Sequence, residues 1–590
     1  MLLERYLDEL AAETMQRALD LPEPPPAILR ATTDKKFGDY QVNGAMGLAK
    51  RLKKQPRELA APIAAALMET DAIAKAEVAG PGFVNLTLDD DWIAQKLTDA
   101  LAGERLGVDE ARQPHTVVVD FSSPNIAKQM HVGHLRSTIL GHALVQLLRF
   151  IGHTVIGDNH LGDWGTQYGL LIVGMRRYGD EEALAQDAIV ELERVYKLAS
   201  AQAKEDEEFA AEARAELAKL QAGDEENRQM WARFVSTTRN TLDKAYERLG
   251  VSFDAWLGES AYNEQLPGVV ELLMERGIAR EDEGAVCVFF NELGGKDIDG
   301  ALPNALDKKL RKQKAPFIVR KKDGAFLYST SDIATIHYRR DEFKAQRAVY
   351  VVDSRQSHHF KQLFAVARLL GITMQLDHVG FGTILGEDGT PIKTRDGKAI
   401  TLAALLDEAE QRTESLIKEK SAEGVLRIGD ERLEEARRII GIGAVKYGDL
   451  MQNRLTDYKF DWEKMIALSG NASPYLQYNY ARTRSVFREG EVDWDGYRAT
   501  IVTEQPAERA LARLLLRFGD TVHRAADTYQ PHLLCEHLYA LAREFSRFWR
   551  DCPVLKSEGA TRASRLGLVA LCGRQLELGL RLLGIGVLEA

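Results

Sequence analysis

Two imidazoles three residues apart, His131 and His134, with Lys128 just before them, are the side chains in this sequence best placed to grip phosphate oxygens. They follow the apolar, β-branched run Val117 to Phe121 after a short polar loop, Ser122 to Gln129. A helical period then starts near Val132 and continues through Leu135, Ile139, Leu144, Leu147 and Leu148. Strand, loop and helix in that order set backbone N–H groups and the positive end of a helix against an anion. This loop has none of the glycines of a Walker or dinucleotide fingerprint, so side chains must do the holding. Gly133, between the histidines, leaves room for a flat base or ribose to approach the backbone. A lone HxxH is more often two surface histidines. Here it stands behind a buried strand, beside Ser-Ser-Pro-Asn and a lysine.

The elements that must position this set read as an open α/β sheet split by a long insertion. Val117–Phe121 and Thr154–Gly157 are two strands of its first half, joined by the helix after His131. Beyond them, DNHLGDWGTQYG clusters glycines and acids at a strand's carboxyl end, where open α/β sheets bind ligands. Residues 176 to about 315 read as connective: first acidic and helical with a solvated face, then mixed. Lys308, Lys309, Arg311, Lys312 and Lys314 form the densest basic patch of the chain, either a contact for RNA phosphates or an exposed loop. FIVR and AFLY around Lys-Lys-Asp-Gly predict a hairpin, and Tyr328 and Asp332 then open a helix. Taken alone, the two read as a core tyrosine and a helix cap; together they offer an acidic acceptor one turn beyond a flat aromatic wall. AVYVVDSRQ is a further buried strand whose end presents Gln356.

The remaining chain flanks that sheet. Residues 1–110 predict an α/β module in which Phe37, Tyr40 and Gln41 sit among lysines, suited to stacking on unpaired bases or, equally, to a core. From 405 to 590 nearly every segment is helical, and Tyr475, Tyr478 and Arg482 interleave aromatic and basic groups. The net charge of −11 excludes a generally basic coat and confines any nucleic-acid surface to local patches. Four cysteines without CxxC spacing argue against a structural zinc and for a reducing compartment. No apolar run approaches a membrane span, and the acidic, amphipathic start is not a signal peptide.

HVGH resembles the HIGH signature of class I aminoacyl-tRNA synthetases, and SSPNIAKQMHVGHLRSTI resembles the arginyl-tRNA synthetases among them. The resemblance continues through FGDYQ, LYSTSDIA, VVDSRQ, LTDYKFDWEKM and PYLQY, in the family's order. It implies an α/β fold with five parts. These are an N-terminal additional tRNA-binding domain (1–110), the first half of a Rossmann-type catalytic domain (111–175) and a connective insertion (176–315). The second catalytic half (316–404) and a helical anticodon-binding bundle (405–590) complete it. The implied reaction is activation of L-arginine by ATP, with Mg²⁺, and transfer of the arginyl group to the terminal adenosine of tRNA(Arg).

By the same resemblance, Ser123, Asn125, His134, Tyr328, Asp332 and Gln356 line the arginine site, with Asp120 a second carboxylate nearby. Lys128, His131, Gly133, His134, Lys393 and Arg395 meet ATP, and Phe37, Tyr40, Gln41, Tyr475, Tyr478 and Arg482 meet tRNA. The family's KMSKS loop matches Pro391-Ile392-Lys393-Thr394-Arg395, where threonine replaces the usual second lysine. Lys128 is the family's substitute in such variants. Adenylate formation needs alignment and charge stabilisation rather than an enzyme nucleophile. No resident metal site is expected, and the expected state is a cytoplasmic monomer.

Overall fold

The computed structural model describes all residues of the chain except 1, 33, 127, 295–297, 387, 391, 393–399, 425, 427 and 589–590. Two compact units form: residues 112–411 with 452–462, and residues 1–111 with 412–451 and 463–590.

Four short apolar runs make the sheet of the first unit: β1 (Thr116–Asp120), β2 (Thr154–Asp158), β3 (Arg347–Tyr350) and β4 (Gln375–His378). All pair in parallel, in the order β4-β3-β1-β2. Val117, Val118 and Val119 are fully buried, as a strand covered on both faces requires. Helix α1 (Val132–Phe150) carries the chain from β1 outward to β2, and helix α3 (Ser357–Leu369) carries it from β3 outward to β4. The connections diverge between β1 and β3, and their carboxyl ends open a crevice there. A third helix, α2 (Tyr328–Asp341), packs against α3 and delivers Arg339 to these ends.

The long insertion is helical through residue 249, and Asp180, Asp187, Asp206 and Asp224 cap four successive helices through their carboxylates. Its acidic character is not wholly a solvated face. Glu191 and Glu216 are buried, held by Arg194 and by Arg176 and Asn227. An antiparallel sheet follows, Arg280–Asp282, Ala285–Val288 and Phe317–Arg320. The hairpin expected around Lys-Lys-Asp-Gly shrinks to a single bridge, Arg320 to Phe326. Phe317–Arg320 pairs instead with Ala285–Val288, and the helix starting at Tyr328 takes the residues that a return strand needs.

Residues 452–462 leave the helical tail and join the sheet unit. Tyr458 and Lys459 pair in parallel with Ile384 and Leu385, and Arg454 donates to the Gly380 carbonyl at 2.7 Å. In the second unit, an antiparallel sheet orders Leu29–Ala31, Tyr40–Val42, Phe83–Leu88 and Ile73–Ala79. The same unit contains the long helices from Leu433–Leu450 to Gly559–Leu582, tied to the N-terminal module by Arg513, which pairs with Asp39 and Asp90.

Candidate active site

The loop after β1 begins with two consecutive serines in the left-handed region, Ser122 at φ 71° and Ser123 at φ 46°. Such a pair costs of order 1–3 kcal/mol per residue and persists only where surroundings over-determine it. They do so here. Ser122 N–H donates to Ser137 Oγ, and Ser122 Oγ meets both Thr138 Oγ1 and the Tyr246 hydroxyl at 2.7–2.8 Å. Ser123 N–H donates to Asn159 Oδ1, and Ser137 Oγ donates to the Val351 carbonyl. The turn thereby locks β1, α1, the loop after β2 and the end of β3 around one crevice.

His131 caps α1. Its Nδ1 accepts from Gly133 N–H at 2.9 Å, while its own N–H donates to His134 Nδ1 at 3.2 Å. With both Nδ1 atoms accepting, each neutral ring carries its proton on Nε2, free to meet an anion. Burial, then Lys128, pushes the His131 pKa down; burial, then His131, takes that of His134 down to about 4. Both rings are therefore neutral donors at pH 7. The expectation for Gly133 is corrected: a Cβ there would lie 2.6 Å from His131 Cε1, so the glycine makes room for the folded-back imidazole.

Ser123, His131, Gly133, His134 and Gln356 line one cleft of roughly 440 Å³, with Arg136, Asp353 and Ile384 among their neighbours. Lys128 stands exposed at the end of the same loop. Lys393 and Arg395 lie outside the described residues. Asn125 bridges to Gly162, where a Cβ would collide with the asparagine Oδ1 at 2.1 Å; a side chain at 162 would expel Asn125.

The acidic side of the site gathers on α2. Tyr328, 66% exposed, opens the helix, and Asp332 follows one turn later. Asp332 Oδ2 lies 2.5 Å from His359 Nε2 on α3. Close by is a carboxylate that the sequence reading missed. Glu259 is anchored through its N–H to the Leu161 carbonyl, beside Gly162. Burial, then Asp332 and Asp163, raises its pKa to about 8. Two carboxylates crowded together without a cation form a slot for a ligand's positive charge. Nothing local marks Glu259; its meaning comes from what folds against it.

Asp120 requires a correction. Its Oδ2 takes Arg339 at 2.7 Å and its Oδ1 takes Ser123 Oγ at 3.0 Å. Arg339, wholly buried, also holds Asp158 at 2.7 Å and lies over the Tyr350 ring. Asp120 is buried and already paired with a guanidinium of the chain itself, so it is spoken for as a structural anion rather than a second carboxylate of the slot.

Among the residues read as RNA contacts, Phe37 is 42% exposed with Lys36 over its ring, and Gln41 is half-buried against Asn85. Tyr40 is corrected: at 2% exposure its ring belongs to the core and has no face for a base. Strand alternation explains the split, since Tyr40 and Gln41 point to opposite faces. Tyr475, Tyr478 and Arg482 form one half-buried stripe on the helix Ser473–Glu489, with Arg482 over Trp549 at 5.3 Å. Among the described residues no group of three or more His, Cys, Asp or Glu could hold a metal ion, and no helix is long and apolar enough to cross a membrane.

The family model described as tRNA synthetases class I (R), catalytic domain, matches residues 96–462. The Arginyl tRNA synthetase N terminal domain matches 5–88 and the DALR anticodon binding domain 476–590. An arginine–tRNA ligase of Chromobacterium violaceum is 44% identical over 99% of this chain and 100% of its own length. That of Hahella chejuensis is 43% identical over 100% and 99%. The solved arginyl-tRNA synthetase of Plasmodium falciparum superposes with a TM-score of 0.82 at 25% identity, covering 100% of this chain and 99% of that one. The Thermus thermophilus structure, with a TM-score of 0.79 at 24% identity and full coverage of both chains, shares the fold. Matched from end to end, the chain belongs to the arginyl-tRNA synthetases.

Proposed function

We infer that this chain is an arginine–tRNA ligase, and that the acidic pair Asp332 and Glu259, in one unit with the donors His131 and His134, carries the reading. The α-carboxylate of L-arginine attacks the α-phosphorus of ATP; pyrophosphate leaves and arginyl-adenylate forms. The 2′-hydroxyl of the terminal tRNA adenosine then attacks the activated carbonyl, and AMP departs. His131 and His134 donate Nε2–H to phosphate oxygens whose charge grows in the transition state. Lys128 and the loop carrying Lys393 and Arg395 supply positive charge. Mg²⁺ enters with ATP as counter-charge for the departing pyrophosphate. Asn125, Gln356 and Ser123 orient the amino and carboxylate ends of arginine, and Tyr328 forms the flat wall beside its guanidinium.

Attachment to total tRNA, tried with each of the twenty amino acids, is expected for arginine alone. Attachment of another amino acid in its place overturns the reading. ATP–pyrophosphate exchange is expected to be slight until tRNA is added.

Glu259 gives arginine binding a pH signature. In the empty protein it is protonated below about pH 8, and a guanidinium beside it favours the anion. Binding thus releases a proton, and arginine affinity rises with pH up to about 8, then levels. Calorimetric titrations at pH 7 in two buffers of different ionisation enthalpy read the release directly. Heats independent of buffer would remove Glu259 from the slot.

Phe37, Gln41, Tyr475, Tyr478 and Arg482 are our candidates for tRNA contacts, which assigns RNA binding to the N-terminal module and the helical tail. Lys308, Lys309, Arg311, Lys312 and Lys314 are all exposed in the connective insertion. Reversing charge at Lys309 and Lys312 is expected to raise the KM for tRNA several-fold and flatten its salt dependence by about two counterions, with arginine and ATP constants unchanged. An unaltered salt slope would return the patch to a solvated loop. We place the chain in the cytoplasm as a monomer of 65.9 kDa, a mass that light scattering checks.

A further inference from the structure

We propose that His359 is a positioning residue for arginine recognition: its imidazole fixes one Asp332 oxygen and so sets the carboxylate's face toward the substrate. The proposal rests on the assignment of Asp332 and Glu259 to the guanidinium.

Asp332 and His359 come from neighbouring helices, α2 and α3, and meet at 2.5 Å between Oδ2 and Nε2, each side chain about a quarter exposed (25% and 26%). An aspartate only partly buried on a helix has a broad, two-fold terminal torsion and would otherwise wander. The imidazole that holds it is itself held. Its ring lies 5.9 Å from Phe317 and 5.6 Å, edge on, from Phe360, so the carboxylate is tethered to the aromatic core. Among the described residues no lysine or arginine forms an ion pair with Asp332.

The contrast with Asp120 is instructive. A guanidinium, Arg339, holds that carboxylate together with Asp158 and brings a permanent positive charge to it. An imidazole can donate one hydrogen bond without carrying a charge, so it can orient Asp332 without placing a fixed cation in the slot. With Oδ2 turned to His359, Asp332 presents chiefly Oδ1, and a second carboxylate comes from Glu259 on a separate element. Two carboxylates set at different edges match the planar, five-donor fork of a guanidinium and match poorly the compact ammonium of lysine.

The test compares His359→Leu and His359→Gln, each alone and with Asp332→Asn. Readouts are KM and kcat for arginine, KM for ATP, and the ratio of kcat/KM for arginine to that for lysine. Losing one hydrogen bond to a charged group is expected to raise the arginine KM about tenfold in His359→Leu and to lower the arginine-to-lysine ratio, with kcat and ATP KM within about twofold. His359→Gln, whose amide can still donate, is expected to recover most of the loss. In the Asp332→Asn background the leucine substitution is expected to add less than about twofold, because its partner's charge is already gone.

An unchanged arginine KM in His359→Leu, a glutamine variant as impaired as leucine, or full additivity with Asp332→Asn each overturns the proposal. Asp332→Asn with unaltered arginine kinetics overturns instead the assignment of Asp332. Should leucine prevent folding, the imidazole N–H proton resonance of the unsubstituted enzyme decides: a shift on adding arginine supports the tether, and an unmoved resonance rejects it.

Discussion

Asp332→Ala is expected to cripple arginine-dependent activity, lowering kcat/KM for arginine by about thirtyfold to a few thousandfold while the affinity for ATP stays the same. The expectation follows from charge. The slot pairs Asp332 with Glu259, whose carboxyl burial keeps largely protonated near neutrality. Removing one partner of a partly desolvated, hydrogen-bonded ion pair costs about 2–5 kcal/mol, and the guanidinium left behind is desolvated without repayment. We propose that ATP is held by the imidazoles at the start of α1, and Asp332 is not among the residues lining their cleft, so calorimetric ATP binding should not move. Unchanged arginine kinetics in a folded Asp332→Ala protein would take this residue out of the pocket.

Arg339→Ala is expected to destabilise the sheet unit by about 3–5 kcal/mol, because it strands two buried carboxylates. Arg339 and Asp158 are fully buried and Asp120 nearly so, with both bonds at 2.7 Å. Against a usual domain stability of about 5–15 kcal/mol, such a loss brings the unit near unfolding at 37 °C. Urea denaturation followed by tryptophan fluorescence reads it as a lower midpoint. The combination Arg339→Met, Asp120→Asn and Asp158→Asn is expected to restore part of the midpoint, since it removes the charges together. A single Arg339→Ala variant with an unaltered midpoint would show that water reaches the carboxylates and that the triad is not a structural tie.

These two aspartates show where sequence reading stops. Asp120 and Asp332 both stand at ends of elements beside nucleotide-type signatures, and both were expected near the guanidinium. What separates them is their partners. Arg339 lies 219 residues from Asp120 in the chain and His359 lies 27 from Asp332. One partner is a guanidinium with a permanent charge, shared with a second aspartate; the other is an imidazole, which can donate without carrying a charge. Neither pairing leaves a trace in local periodicity.

The sequence by itself determined what short-range physics controls: a buried strand running into a polar loop, the imidazole pair capping a helix, Asp332 one turn beyond Tyr328, and helical tracts in the insertion and the tail. Their signals are spacing and alternation over a few residues, and the strands at Val117 and Thr154 and the helix at Val132 formed close to their expected bounds. Tertiary structure alone decided the rest. It turned Tyr40 into the core and left Phe37 outside, drew residues 452–462 back to the sheet unit, filled the space over Gly133 with the His131 ring, and brought Glu259 from the insertion to the slot. Each of these depends on which distant surface buries a group, and burial is a property of the packed chain rather than of any window along it.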